Sequence, residues 1–373
     1  MNPYWLEDLP PLKPTPRRGR VDVAIVGGGV TGCAAALRLA EAGLAVRVHE
    51  QRAIAEGASG RNGGFALAGG AAAYDVARDS YGPEQARALW EWTAEEFRHL
   101  AELAGDALRE VGCYRLASDD EERDQVRREY EALRDDGFPV EWLDDLPGRL
   151  SGVFAGVAVH TSGGSLQPAR FVRRLAQLAA EAGAELREHD RVDDVDALDA
   201  EQVVIATDGY GHGLVPELDG LLWPTRGQVV VSEPLDRVVF DRPHYARHGF
   251  DYWQQLPDRR VLLGGFRDTS ILDELTDAEM TTEPIQSALE RFLAELIGAD
   301  ARVTHRWAGI FALTQDMLPL VGPIPGRERV WVAAGYSGHG NVLGFSCGRL
   351  VADAILGRQT PQRELLDPAR FAV

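Results

Sequence analysis

The sequence predicts an α/β protein (α+β overall), a Rossmann-type dinucleotide-binding domain with an antiparallel-sheet domain inserted into it. Three observations carry this. Val-Asp-Val-Ala-Ile-Val over residues 21–26 leads into Gly27-Gly28-Gly29-Val30-Thr31-Gly32, then an Ala/Leu-rich run, then Val46-Arg47-Val48-His49-Glu50. A second glycine turn, Gly335-Tyr336-Ser337-Gly338-His339-Gly340, separates an apolar strand from the last helix. Between these ends lie alternating, aromatic-bearing segments punctuated like hairpins.

The first segment is strand, glycine turn, helix, strand and terminal acid in sequence. Gly27 permits the tight turn, Gly29 lets a pyrophosphate approach the backbone, and Gly32 lets helix and strand pack closely. The helix opening at Val30 and Thr31 points unpaired N–H groups and positive dipole at that phosphate. Glu50 is placed to bind a ribose hydroxyl. Ala58-Ser59-Gly60-Arg61-Asn62-Gly63-Gly64 follows as a polar glycine loop without periodicity. Helical spacing with a charged face predicts helices over 84–111 and 119–136, and short strands are expected at 111–116 and 153–160. Gln167-Pro168 opens a helix that stops at Gly183.

After a short strand at 185–187, the apolar strand 202–206 ends at Thr207-Asp208-Gly209, the carboxyl end where a parallel sheet meets its ligand crevice. Residues 223–232 and 250–267 read as antiparallel strands, the latter a hairpin turning at Pro257-Asp258. A helix over 283–298, strands over 302–313 and 330–334, and a helix over 341–356 complete the chain. Grouping the glycine-turn pieces gives a discontinuous nucleotide domain of residues 1–80, 152–210 and 301–373. Residues 81–151 and 211–300 then form the substrate domain.

Composition narrows the function classes. Hydrophobic content of 45% and charged content of 26% suit a folded globular chain. The net charge of −19 disfavours nucleic acid and anionic membrane surfaces as partners. Cys33, Cys113 and Cys347 are far apart, with no metal-ligand or CxxC spacing, which fits a reduced, cytoplasmic protein without a metal. No apolar run reaches membrane-spanning length free of charge. The proline-bearing first nineteen residues read as an extended arm rather than a targeting signal. Oligomeric state is not written in the sequence.

The ordered set of Gly27 to Gly32 with Glu50, the ASGRNGG loop, Ala206-Thr207, Trp307-Ala308-Gly309, Asp316 with Pro319 and Gly322, and the GYSGHG turn resembles the FAD-dependent amine and amino-acid oxidases, the D-amino acid, glycine and sarcosine oxidase group. Ser80-Tyr81-Gly82, Thr161-Ser162-Gly163-Gly164, Asp251-Tyr252-Trp253, Arg306-Trp307 and Thr314 make it most similar to the γ-glutamylputrescine oxidase branch, over residues 20–358. The resemblance implies FAD rather than NAD. The AMP half would sit on Gly27, Gly29, Val30, Thr31, Gly32, Glu50, Gln51 and Arg52, with Val192 beside adenine. Ser59, Arg61, Asn62, Gly63 and Gly64 would pass the pyrophosphate and flavin ring, and Thr207, Trp307 and Gly309 would line the crevice. Gly335, Gly338, His339, Gly340 and Val342 would meet the isoalloxazine edge, where a helix start stabilises charge on the reduced ring.

The implied chemistry is oxidation of a C–N bond in a small amine or amino acid: hydride transfer to flavin N5, hydrolysis of the imine, and reoxidation by O2 to give H2O2. The amine must be neutral to donate, so the site needs desolvating aromatic walls more than a strong base. Phe65, Tyr252, Trp253 and Tyr336 are the candidate walls; strand packing is the other reading of Tyr252 and Trp253. His339 is a candidate for proton transfer or for positioning its loop. Arg226 and Arg267 are candidates for a substrate carboxylate or for ordinary ion pairs. Two departures from the group matter. The strand 260–266 lacks the lysine that speeds reaction with oxygen, leaving open a dehydrogenase with another electron acceptor. Residues 309–313 lack the cysteine that attaches flavin, so FAD is expected to be non-covalent.

Overall fold

The computed structural model describes residues 3–7, 9–17, 19–144, 157–160 (backbone), 163–359 and 361–371. The central sheet has six strands in the order Leu320–Ile324, Arg327–Ala334, Ala200–Ile205, Val21–Val26, Val46–His49 and Glu185–Arg187. All neighbours are parallel except the first pair. Their side chains explain the continuous apolar runs: Val23, Ile25, Val46, Val48, Val203 and Val204 are all fully buried. Each contributes roughly 1.5–3 kcal/mol of apolar transfer. Val26 pairs with both Ile205 and His49, so Gly27, Glu50 and Ala206 emerge side by side at one carboxyl edge.

Helices Val30–Glu41 and Val342–Ile355 lie together on this sheet. Glycine makes their approach possible, since a Cβ on Gly348 would collide with the Thr31 carbonyl; Gly32 does the same for the first helix and its own turn, where a Cβ would strike the Gly27 carbonyl. The two glycine-turn segments, at opposite ends of the chain, are thereby brought against each other.

A second, eight-stranded sheet runs Val303–Leu313, Trp223–Ser232, Val261–Gly264, Asp251–Gln255, His244–Ala246, Cys113–Leu116, Val157–His160 and Val140–Leu143. It is antiparallel except where His244–Ala246 meets Cys113–Leu116. Helix Glu283–Ile297 covers one face, burying Leu289 and Leu293 against Trp253 and Leu263. Phe65–Leu67, Gly163–Leu166 and Leu108–Arg109 form a small third sheet.

Most expected elements are present. The helix expected over 84–111 is Pro83–Ala104, ended by Gly105 at φ +54°, and the chain turns there into a strand. Of the strand expected at 153–160, residues 157–160 are found; 153–156, like Thr161 and Ser162 of the TSGG motif, lie outside the described residues. Helix Tyr74–Tyr81 and strands Leu320–Ile324 and His244–Ala246 were not anticipated. The last is three residues long, too short to show a period.

Candidate functional site

One cavity of about 680 Å³ runs from the carboxyl edge of the six-stranded sheet to the inner face of the eight-stranded sheet. At the first end Glu50 is held by backbone donors: Gly28 N–H to Oε2 and Arg52 N–H to Oε1, both 2.8 Å. Burial pushes its carboxyl pKa up, and those two bonds oppose the shift. Gly29 precedes the helix without a side-chain cap, and the Ser59 hydroxyl accepts from Val30 N–H at 2.9 Å. A Cβ on Gly27 (φ +112°) would stand 2.5 Å from the Ala206 carbonyl oxygen. Gln51, Val192 and Thr207 also line this end.

The ASGRNGG loop is fastened across the middle. Asn62 donates to the Ala58 and Ser59 carbonyls at 3.1 Å and accepts from Gly64 N–H at 2.8 Å. Its amide also pairs with that of Asn341, which donates to the Phe65 carbonyl at 2.8 Å. Trp307 donates to the Arg61 carbonyl at 2.8 Å, so it supports the loop from behind rather than lining the cavity. Gly309 touches both: it lines the cavity, and a Cβ there would stand 2.8 Å from that of Arg61. Glu279, unremarked in the sequence, gathers Arg52 (3.0 Å), Arg61 (3.1 Å) and the Tyr210 hydroxyl (2.6 Å). Asp208 fixes the closing turn by accepting from Gly335 N–H at 2.8 Å and Ala312 N–H at 3.1 Å. Gly32, Gly64, Gly335 and Val342 serve packing and lie behind the cavity wall, whereas Gly338, His339 and Gly340 line it.

The far end is an aromatic chamber. The Tyr252 ring lies against two glycines, where a Cβ on Gly63 would come within 2.7 Å and one on Gly264 closer still. Phe65 meets Tyr245 edge-on at 4.9 Å and Tyr252 at 5.8 Å, and Tyr245 stacks on His339 at 6.2 Å. Burial pushes the Tyr252 phenol up to about 12, so it stays protonated. Burial lowers the His339 pKa to about 4, leaving a neutral ring. Its Nδ1 is buried and has no hydrogen-bond partner among the described residues.

The structure decides between the alternatives at Trp253 and Arg226 and gives Tyr336 a further contact. Trp253 is fully buried on the opposite face of the sheet, stacked on His244 at 5.1 Å against the covering helix. Adjacent strand residues point to opposite faces, so Tyr252 in the chamber puts Trp253 outside it. Tyr336 lines the cavity, but its hydroxyl donates to the Ala333 carbonyl (2.7 Å) and lies 2.8 Å from Thr31 Oγ1, tying the two glycine turns together. Arg226 is buried and spends four of its five N–H groups on Glu274 (2.9 and 2.8 Å) and on the Ala278 and Asp273 carbonyls (both 3.1 Å). It does not line the cavity and so is not presented to a substrate there. Tyr245, Phe250, Phe311 and Arg115, absent from the sequence reading, complete the chamber.

A buried acid at the sheet's carboxyl edge, a glycine-lined helix start and an aromatic chamber thus share one cavity. The sequence profile of the DAO family, "FAD dependent oxidoreductase", matches residues 22–354, and the chain belongs to that family. It is 30% identical over 367 residues to glycine oxidase of Geobacillus kaustophilus (strain HTA426), covering 91% of this chain and 94% of the relative. The crystal structure of the Geobacillus kaustophilus glycine oxidase superposes with a TM-score of 0.73 at 29% identity, over 95% of this chain and 98% of the other. γ-Glutamylputrescine oxidoreductase of Escherichia coli (strain K12) is 28% identical over 372 residues, 90% of this chain and 84% of the relative. The protein is thus an FAD-dependent oxidoreductase of a family acting on amines and amino acids. Among the described residues, no helix is long and apolar enough to cross a membrane.

Proposed function

We propose that the chain oxidises the C–N bond of a small amine or amino acid in the aromatic chamber, releases the imine to hydrolysis, and passes its electrons to O2 with formation of H2O2. The single observation that supports this is the continuity of the cavity from Glu50 to the chamber of Phe65, Tyr245, Tyr252 and His339. In this reading residues 1–80, 152–210 and 301–373 hold FAD, non-covalently, and residues 81–151 and 211–300 shape the substrate side. The residues present fit the cofactor. Glu50 still has lone pairs for ribose hydroxyls, and Gly29 leaves the helix start open where a side chain would meet Ser59 Oγ at 2.9 Å.

When bound, FAD supplies the acceptor for the hydride leaving the carbon next to nitrogen. The protein's part is placement and desolvation. Phe65, Tyr245 and Tyr252 remove water from the incoming group, which favours the neutral amine over its ammonium form. Aromatic faces also attract the cation before it loses its proton. His339, held neutral by burial, lines the chamber without adding a charge.

A second reading, a dehydrogenase with a different electron acceptor, is favoured by one observation. Lys13, in the N-terminal arm, is the chain's one lysine, so no lysine can serve oxygen activation in the chamber. Anaerobic mixing of the FAD-loaded protein with a panel of amines and amino acids tests the main reading, with bleaching of the yellow flavin as the signal. At least one member should bleach it, and admission of air should restore the colour with stoichiometric peroxide. Bleaching that only a dye reverses selects the dehydrogenase. A flavin that no member reduces would falsify both.

A further inference from the structure

Two indoles hold the ASGRNGG loop from behind. Trp307 Nε1 donates to the Arg61 carbonyl at 2.8 Å, and Trp5 Nε1 donates to the next carbonyl, that of Asn62, at 2.7 Å. Neither indole lines the cavity, whereas Arg61, Asn62 and Gly63 do. The peptide bonds of the loop are trans, so a carbonyl turned towards an indole turns the N–H of the same peptide unit the other way. Trp307 thus orients the Asn62 N–H and Trp5 the Gly63 N–H. Neither N–H has a hydrogen-bond partner among the described residues. Two adjacent donors are thereby offered on the cavity side of the loop, where a polar ligand would satisfy them.

Trp5 belongs to the proline-bearing arm that precedes the first strand, and the arm is a strap fastened to both large sheets. On the eight-stranded side, the Tyr4 hydroxyl donates to Asp258 Oδ2 at 2.8 Å, and Glu7 Oε1 lies 3.0 Å from His305 Nε2. Further along, Arg173 donates to the Pro10 carbonyl at 2.7 Å. At the edge of the six-stranded sheet, Thr15 Oγ1 accepts from the Leu186 N–H at 2.8 Å. Between these anchors Trp5 is only 2% exposed, and its own carbonyl accepts from the Gln167 amide at 2.9 Å. The arm presses on the loop directly: a Cβ on Gly64 would stand 2.7 Å from Trp5 Cζ2, and one on Gly60 would stand 2.8 Å from Leu6 Cδ2.

We propose that Trp5 is a positioning residue for the cofactor: the arm holds the Asn62 carbonyl back, keeps the Gly63 N–H facing the cavity, and so sets how tightly the protein retains FAD. This rests on the FAD site described above and needs nothing of the C–N chemistry. Donors fixed before binding cost the ligand no ordering, which is how a contact behind the loop reaches the affinity in front of it. Without the indole N–H, the Asn62 carbonyl loses its one partner among the described residues. Its peptide unit can then turn, which takes the Gly63 N–H out of the cavity.

The test is titration of the apoprotein with FAD, read as quenching of flavin fluorescence. W5F keeps an aromatic ring against Gly64 and removes the N–H donor. Its Kd for FAD should rise about tenfold, the effect expected when one buried carbonyl is left without its donor. T15A loosens the far end of the arm, away from the loop, and controls for a general loss of stability. Its Kd should stay within about twofold of wild type, even where the melting temperature of the apoprotein falls as far as in W5F. Hydrogen exchange of the wild-type arm adds a reading that needs no substitution. Linkage is reciprocal, so FAD should slow exchange of residues 3–7 by the factor with which the docked arm tightens FAD, about tenfold. A W5F Kd equal to wild type, a T15A Kd raised as far as that of W5F, or arm exchange unchanged by FAD overturns the proposal. An amine panel that fails to bleach the flavin removes the proposed oxidation instead, and the binding measurements still decide the role of Trp5.

Discussion

Replacement of Gly264 by alanine tests whether the Tyr252 ring shapes the reacting chamber. Gly264 and Tyr252 are cross-strand partners, and the ring lies directly over the glycine. A methyl group there would stand 2.3 Å from Cζ and 2.4 Å from Cε2 and the hydroxyl oxygen. Ordinary carbon contacts need roughly 3.5–4.0 Å, so the ring must retreat by about 1.2–1.7 Å. Gly63 crowds the same ring edge, and Phe65 and Tyr245 stand 5.8 and 6.2 Å away on the chamber side, so the retreat intrudes on the chamber. Overpacking of this kind costs about 1–3 kcal/mol of stability, which leaves the fold intact. A displacement near 1 Å at a reacting centre costs about 10²-fold in rate. The assay is stopped-flow flavin reduction under anaerobic conditions at saturating substrate, with FAD stoichiometry as the control for folding. G227A is the matched comparison, since its methyl would sit at 3.6 Å from Phe311 and 4.0 Å from the Tyr252 hydroxyl, both ordinary contacts. G264A should lose about 10²-fold and G227A less than about tenfold. Equal rates for G264A and wild type, or equal damage in both variants, would show that the ring does not define the chamber.

Other consequences follow from the same geometry. E50A removes the acceptor of the Gly28 and Arg52 N–H groups, so FAD affinity, measured by titration of the apoprotein, should fall by about 10- to 100-fold; an unchanged Kd would remove Glu50 from the cofactor site. R226M strands the Glu274 carboxylate, buried to 1% exposure, and should lower stability by about 3–5 kcal/mol in urea unfolding; a loss below about 1 kcal/mol would mean that water or another group compensates it. His244 and His339 titrate near 3 and 4 in the folded protein against 6.5 unfolded, both lowered by burial. The unfolded chain therefore binds more protons in that window, and stability should fall as pH drops from 6.5 towards 3. Melting curves of H244F, which cannot titrate, should show a shallower decline than wild type, and identical slopes would contradict the burial of His244.

Much of the cofactor end was legible because its parts are contiguous. The turn, helix start and Glu50 belong to one βαβ unit, and backbone sterics alone require Gly27 and Gly32. The chamber was less legible, because its walls come from strands whose pairing is set at long range. Tyr245 reaches the site through a three-residue strand registered against Tyr252. No period marks so short a strand. Trp253 could have been placed correctly, since alternation along residues 251–255 forbids it from sharing a face with Tyr252. The placement of Arg226 depended on Glu274, a partner 48 residues away that spacing does not reveal. A longer separation, 227 residues from Arg52, hid Glu279, which joins Arg52 to Arg61 across the fold.

The most direct measurement is a single anaerobic turnover of the FAD-loaded protein with a reactive amine or amino acid, comparing protium with deuterium on the carbon next to nitrogen. Flavin should bleach once per active site, more slowly for the deuterated compound, with one equivalent of carbonyl product released. Bleaching at equal rates from both isotopologues, or reduction without a carbonyl product, would contradict cleavage of that C–H bond in the chamber.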